Sequence, residues 1–158
     1  MKKWTVLLII VLALLVSGCG ITTPKSNINI GNNNGVVKNV ESVVYDYIKA
    51  LNKLDWDEVK SYCIIDSEAY IDTLTMQGEI ESTVGKLTWH WKIDITDTIV
   101  DEPLAEVHFN FNVKIKVTRV SGGYDRFEVT KEDAVFHLKK SAWGIWLIYD
   151  SYLHWEEE

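Results

Sequence analysis

Cysteine is scarce in this chain: Cys19 and Cys63 are its only two. Two thiols cannot build the disulfide scaffold on which many small exported domains rely. Positive charge is in deficit too. Sixteen Lys and Arg stand against 23 Asp and Glu, a formal charge of −7. Such a surface repels phosphate backbones, which argues against nucleic acid as a partner. The chain also lacks a Gly-rich phosphate loop, a CxxC pair and a Gly-x-Ser-x-Gly elbow. No cofactor is therefore expected from those motifs.

The N-terminal apolar run is short. Trp4 to Val16 is 13 uncharged residues. At ~1.5 Å rise that is about 20 Å of helix, against a hydrocarbon core of about 30 Å. Lys2 and Lys3 precede the run, and Ser17, Gly18 and Cys19 follow it. A positive start, a short apolar stretch and small residues before a cut describe an export signal rather than a membrane span. The run Leu15-Val16-Ser17-Gly18-Cys19 resembles a bacterial lipobox. That resemblance implies removal of residues 1–18 and a diacylglycerol on the Cys19 thiol, with the new amine open to acylation. The protein is then expected to be membrane-anchored through lipid, facing the extracytoplasmic side, at the cell surface or in the periplasm. The processed chain would carry a formal charge of −9. Anionic headgroups would not attract it, so the acyl chains would do the anchoring. Each buried CH2 contributes about 0.8 kcal/mol, so two or more chains hold where one is marginal. With Cys19 acylated, Cys63 has no partner within the chain. It follows Val59 and Tyr62 at a helix end and is expected as a buried, inert thiol.

Residues 20–35 are polar and include five Asn. They cannot bury enough apolar surface to offset ordering entropy. Residues 19–37 form the expected flexible tether; as coil, a stretch of about sixteen residues reaches roughly 20–25 Å r.m.s.. Residues 38–158 are expected to form one compact domain, with no internal repeat. In residues 38–54, Val40, Val43, Val44, Tyr47, Ile48, Leu51 and Leu54 follow the spacing of an amphipathic helix. Asp55, with Glu58 three residues on, predicts a capping box opening a second helix from Trp56 to about Cys63. Residues 66–82 leave helix and loop both open.

Beyond Gly85 the apolar period changes to two. Trp89, Trp91, Ile93 and Ile95 alternate with polar residues, as do Val107, Phe109, Phe111, Val113, Ile115 and Val117. Each reads as a half-buried strand. Asp101-Glu102-Pro103 and Ser121-Gly122-Gly123 mark turns. A third strand runs from Tyr124 to Lys140. A last one runs from Ile145 to Trp155, after a turn at residues 141–144. Asp150 and His154 share a face of it that reads as solvated. Pairing Val117 with Phe127 and Ile115 with Val129 would set Phe111 opposite Asp133. A β-bulge at Lys131-Glu132-Asp133 is therefore expected, and with it a strongly bent sheet. The bulged register would bring His108 near His137. With no third ligand this predicts a polar cross-strand pair and no metal site. The expected class is α+β, with N-terminal helices packed on a bent antiparallel sheet of about four strands.

The stretch Tyr47-Ile48-Lys49-Ala50-Leu51-Asn52-Lys53-Leu54-Asp55-Trp56-Asp57-Glu58-Val59 resembles the helix-one to helix-two junction of the NTF2-like (cystatin-related cone) superfamily. Leu54 stands where that family often has Gly. The element order of the domain resembles it as well. The resemblance implies a cone and dimerisation through the exposed sheet face. In the family's enzymes it implies a carboxylate, His or Tyr desolvated among apolar walls. Here the apolar strand faces carry few titratable groups, and His90, Asp94 and His108 alternate onto the polar face. The expectation is a non-catalytic domain that binds an unknown protein or a small apolar ligand. The alternative is an enzyme using the cone for isomerase- or cyclase-like acid–base chemistry. Tyr45, Tyr47, Trp56, Trp89, Trp91, Phe109, Phe111 and Trp146 are the candidate pocket or binding-surface residues.

Overall fold

A computed structural model of the protein describes residues 34–83 and 86–152. The expected signal peptide, Cys19, most of the expected tether (residues 19–37) and His154 lie outside the described residues. Three helices precede four strands: α1 (Asn34–Lys53), α2 (Trp56–Ser61), α3 (Glu68–Ser82), β1 (Lys86–Asp101), β2 (Leu104–Thr118), β3 (Tyr124–Lys140) and β4 (Trp146–Tyr152). The strands form one antiparallel sheet in the order β1-β2-β3-β4. The helices pack on its inner face, which gives the α+β architecture read from the sequence.

Helix α1 begins at Asn34, four residues before the expected start, and Val36 already packs against the core. Its inward stripe of Val40, Val44, Tyr47, Ile48 and Leu51 is buried. The helix ends in a Schellman motif. Leu54 N–H donates to Leu51 O at 2.9 Å and Asp55 N–H to Ala50 O at 3.2 Å. That motif needs a left-handed residue after the helix, and Leu54 supplies it at φ 57°. Asp55 then caps α2 by accepting from Glu58 N–H at 3.1 Å. The reciprocal half of the expected capping box is not made. The Asp55 N–H is already taken by Ala50, and the Glu58 carboxylate turns to Lys53 and Tyr62, both at 3.5 Å. The stretch left open in the sequence contains α3, whose N-cap Ser67 accepts from Tyr70 N–H at 3.3 Å. Between α2 and α3 the backbone pairs in parallel with β4. Ile64 N–H reaches Ile148 O and Ile148 N–H reaches Tyr62 O, both at 2.8 Å.

The β3 bulge lies where the sequence places it, but the register differs. Ile115 pairs with Phe127 and Val113 with Val129, so Phe111 faces Lys131. The expected pairing was two residues off. The cause is the loop. It spans residues 119–123 and is closed by Arg119 N–H to Gly123 O at 3.1 Å, with Gly122 and Gly123 at φ 89° and 80°. A two-residue slip leaves every side chain on its expected face. The His108–His137 pairing also fails. His137 faces Glu106 and His108 faces Val135.

A second bulge, between Ile95 and Asp97 on β1, has no counterpart in the sequence reading. It brings Thr98 inward, so that its hydroxyl donates to Glu41 of α1 at 3.0 Å. The two bulges adjoin one row, Ile95–Phe109–Ala134. The sheet therefore bends along a line through Phe109. Phe109, Phe111, Val107, Val113 and Leu138 from the sheet, with Val40, Val44 and Leu51 from α1, are at most 2% exposed.

Candidate functional site

Tyr47 sits on the inward stripe of α1, and its ring meets Phe136 edge-on at 5.4 Å. Its hydroxyl lies 3.2 Å from Thr73 Oγ1 of α3. Thr73 is fully buried and spends its single proton on Ala69 O at 2.8 Å. That leaves Tyr47 as the donor in the Tyr47–Thr73 bond. Cys63 Sγ completes the cluster, 3.8 Å from both Thr73 Oγ1 and Val59 O. Burial pushes the Cys63 thiol up to about 11. Burial, reinforced by Cys63 and partly offset by the Thr73 hydrogen bond, holds the Tyr47 phenol well above its ordinary range. Both groups are neutral at pH 7, and the cluster satisfies itself.

A run of aromatic rings crosses the rest of the interior. Trp56, Trp89, Trp91 and Phe111 follow one another at centroid separations of 6.0, 5.9 and 5.3 Å. Phe111, Phe109 and Phe136 continue the chain at 6.2 and 4.8 Å, ending on Tyr47. The polar edges of this chain are tied to the end of α1. Trp89 Nε1–H donates to Leu51 O at 2.7 Å. Asn52 bridges the free edge of β1 at Trp91, donating to its carbonyl at 2.9 Å and accepting from its N–H at 2.6 Å. The Trp91 indole N–H is buried and has no hydrogen-bond partner among the described residues.

Six of the eight candidate residues thus form one connected aromatic interior. Trp146 is buried on β4, with the Lys140 ammonium 5.7 Å from its ring centre. Tyr45 lies apart, 49% exposed on the outer side of α1. Thr73 and Asn52 were not singled out from the sequence. Thr73 falls in the stretch whose structure was left open. Asn52 carries a faint signal: it is an amide in the last turn of an apolar-faced helix.

The α3–β4 seam is acidic. Asp72 is half-buried and accepts from Ser151 Oγ at 3.4 Å. Burial raises its pKa, the Ser151 bond lowers it, and Asp150 raises it further. Glu68 is raised chiefly by Asp150. Asp150 therefore meets two carboxylates rather than an open sheet face. Outside the cone an open groove of about 680 Å3 runs past Lys60, Cys63, Ile64, Ile65, Tyr70 and Leu147. Among the described residues no cluster of His, Cys, Asp or Glu could hold a metal ion. Among them too, no helix is long and apolar enough to cross a membrane.

The chain matches no protein-family model and no curated protein sequence. Its backbone does match solved structures. A conserved protein from Planctomyces limnophilus DSM 3776 aligns with a TM-score of 0.61 at 17% identity, over 73% of this chain and 91% of that one. An NTF2-like superfamily protein from Salmonella enterica serovar Typhimurium LT2 aligns with a TM-score of 0.53 at 14% identity, over 74% and 88%. The domain has the NTF2-like fold. A ketosteroid isomerase-like protein from Erwinia carotovora atroseptica SCRI1043 also aligns, with a TM-score of 0.53 at 17% identity over 73% and 92%. The NTF2-like fold serves enzymes and non-enzymes alike, so activity has to be argued from the site.

Proposed function

We propose that this chain is an extracytoplasmic lipoprotein whose NTF2-like domain binds a partner through its surface and does no chemistry in its cone. The observation that carries the reading is the self-satisfied Tyr47–Thr73–Cys63 cluster at one end of the aromatic interior. A general acid or base must present its proton or lone pair to a substrate. The Tyr47 proton is directed at Thr73, and the thiol beside it is protonated at neutral pH. The anchored part of the reading rests on the export signal and the Leu15–Cys19 motif. Replacing Cys19 by Ser should release the protein from membranes or block its processing; unchanged fractionation would contradict the anchor.

The enzyme alternative draws on one observation, the half-buried Asp72 beside Thr73 with its raised pKa. The two readings separate in an absorbance assay that follows a β,γ-unsaturated ketosteroid to its conjugated isomer. The binding-domain reading expects no rate above buffer. Turnover that disappears in Tyr47→Phe or Asp72→Asn would favour the enzyme.

A further inference from the structure

The start of α1, where the chain comes from Cys19, lies at an end of the sheet with a cluster of exposed apolar side chains. Glu41 meets Thr98 and Asn52 meets Trp91, so α1 runs antiparallel to β1. Asn34 lies seven residues before Glu41, roughly 10 Å further on at the helical rise. Asp101 lies three residues beyond Thr98, also roughly 10 Å at the strand rise. The start of α1 is therefore level with the β1–β2 turn. The β3–β4 turn shares this end, because Leu104 pairs with Lys139 and Lys140 N–H donates to Pro103 O at 2.8 Å.

Large apolar side chains are exposed here. Trp143 is 89% exposed, Ile145 59%, Leu104 44% and Ile99 41%. An 89% exposed Trp on a tight turn gains nothing from the core. The local charge is balanced. Asp101 and Glu102 are balanced by Lys139 and Lys140, and Lys140 holds Glu102 at 3.0 Å. Strand β4 carries the chain away from this end.

We propose that this end rests on the bilayer to which Cys19 is attached, with Trp143 at headgroup depth and Leu104 and Ile145 beside it. The inference rests on the lipid-anchored reading. Trp suits the headgroup layer because its ring is apolar and its N–H is polar. A net-neutral rim spares the acidic domain a repulsive contact there. Residues 20–33 separate Cys19 from α1. Their fully extended length of about 50 Å is the furthest that the start of α1 can stand from the anchor. Contacts too weak to bind from solution become effective when the anchor holds the two surfaces together.

The test uses the membrane-extracted, processed protein in phosphatidylcholine vesicles that contain lipid brominated near the headgroup end of the chain. Bromine quenches nearby indoles. Wild type should float with the vesicles and lose fluorescence, and Trp143→Phe should float but lose most of that quenching. Tyr124→Trp, at the opposite end of the sheet, should add a tryptophan that bromine does not reach. Equal quenching of wild type and Trp143→Phe in floating protein would overturn the proposal. So would strong quenching at position 124, or a concentration-dependent dimer abolished by Trp143→Phe, which would assign the patch to a second copy. Protein that does not float would refute the anchor itself, and the orientation with it.

Discussion

Leu54 carries a conflict between local preference and tertiary need. The turn from α1 to α2 requires a left-handed residue, and Leu occupies it at φ 57°. An L-residue with a Cβ is disfavoured there by roughly 1–2 kcal/mol. Glycine removes that cost but adds unfolded-state entropy of roughly 0.5–1 kcal/mol. Leu54→Gly is expected to stabilise the domain by about 0.5 kcal/mol, seen as a higher urea midpoint. A lower midpoint would mean that the half-buried Leu54 side chain packs better than its backbone strain costs. The burial of Cys63 was legible from its place at the end of an apolar-faced helix. Its contact with Thr73 was not, because Thr73 lies on a helix with no clear apolar stripe of its own. Ala69 and Thr73 are the only buried residues of α3.

At the scale of elements, the join between α1 and β1 depends on one amide. Asn52 satisfies both backbone groups of Trp91 on the sheet's free edge. Asn52→Ala leaves a donor and an acceptor in a partly buried place and should cost about 1–3 kcal/mol by chemical denaturation. A loss under 0.5 kcal/mol would show that water replaces the amide without penalty. The α3–β4 seam predicts a pH dependence. Burial raises Asp72 above its unfolded value, and Asp150, with Glu68 beside it, adds like charge. The folded state then holds the proton more tightly. The stability it contributes is full below the unfolded pKa and is lost as pH rises through the folded one. Asp72→Asn should flatten that loss, gaining on wild type at neutral pH and not in acid. A variant that loses stability at neutral pH would mean that the Ser151 hydrogen bond outweighs burial. The strands, their faces and the β3 bulge were legible because alternation in β2 and β3 clashes at Lys131–Asp133. The register was not, because two glycines permit loops of several lengths and a two-residue slip preserves every face. The β1 bulge at Thr96 left no mark, since a Thr-Asp-Thr run is polar in either register.

For the whole molecule, the sequence divides into an apolar N-terminal run, read here as an export signal, and a domain with the NTF2-like fold. The fold was legible from the switch in period at Gly85 and from element order. The site was only partly so. Apolar alternation brought Trp89, Trp91, Phe109 and Phe111 to one interior, where their rings follow one another at 5.3 to 6.2 Å. The proposed placement rests on residues 1–19 alone. The central claim proposed here is that the NTF2-like domain works outside the cytoplasm, held by lipid at Cys19. Mass spectrometry of the N-terminal peptide from membrane-extracted protein tests it most directly. The expected peptide begins at Cys19 and carries a diacylglycerol, with or without an amide-linked acyl chain. A peptide that begins at Met1, or one with an unmodified Cys19, would contradict the account.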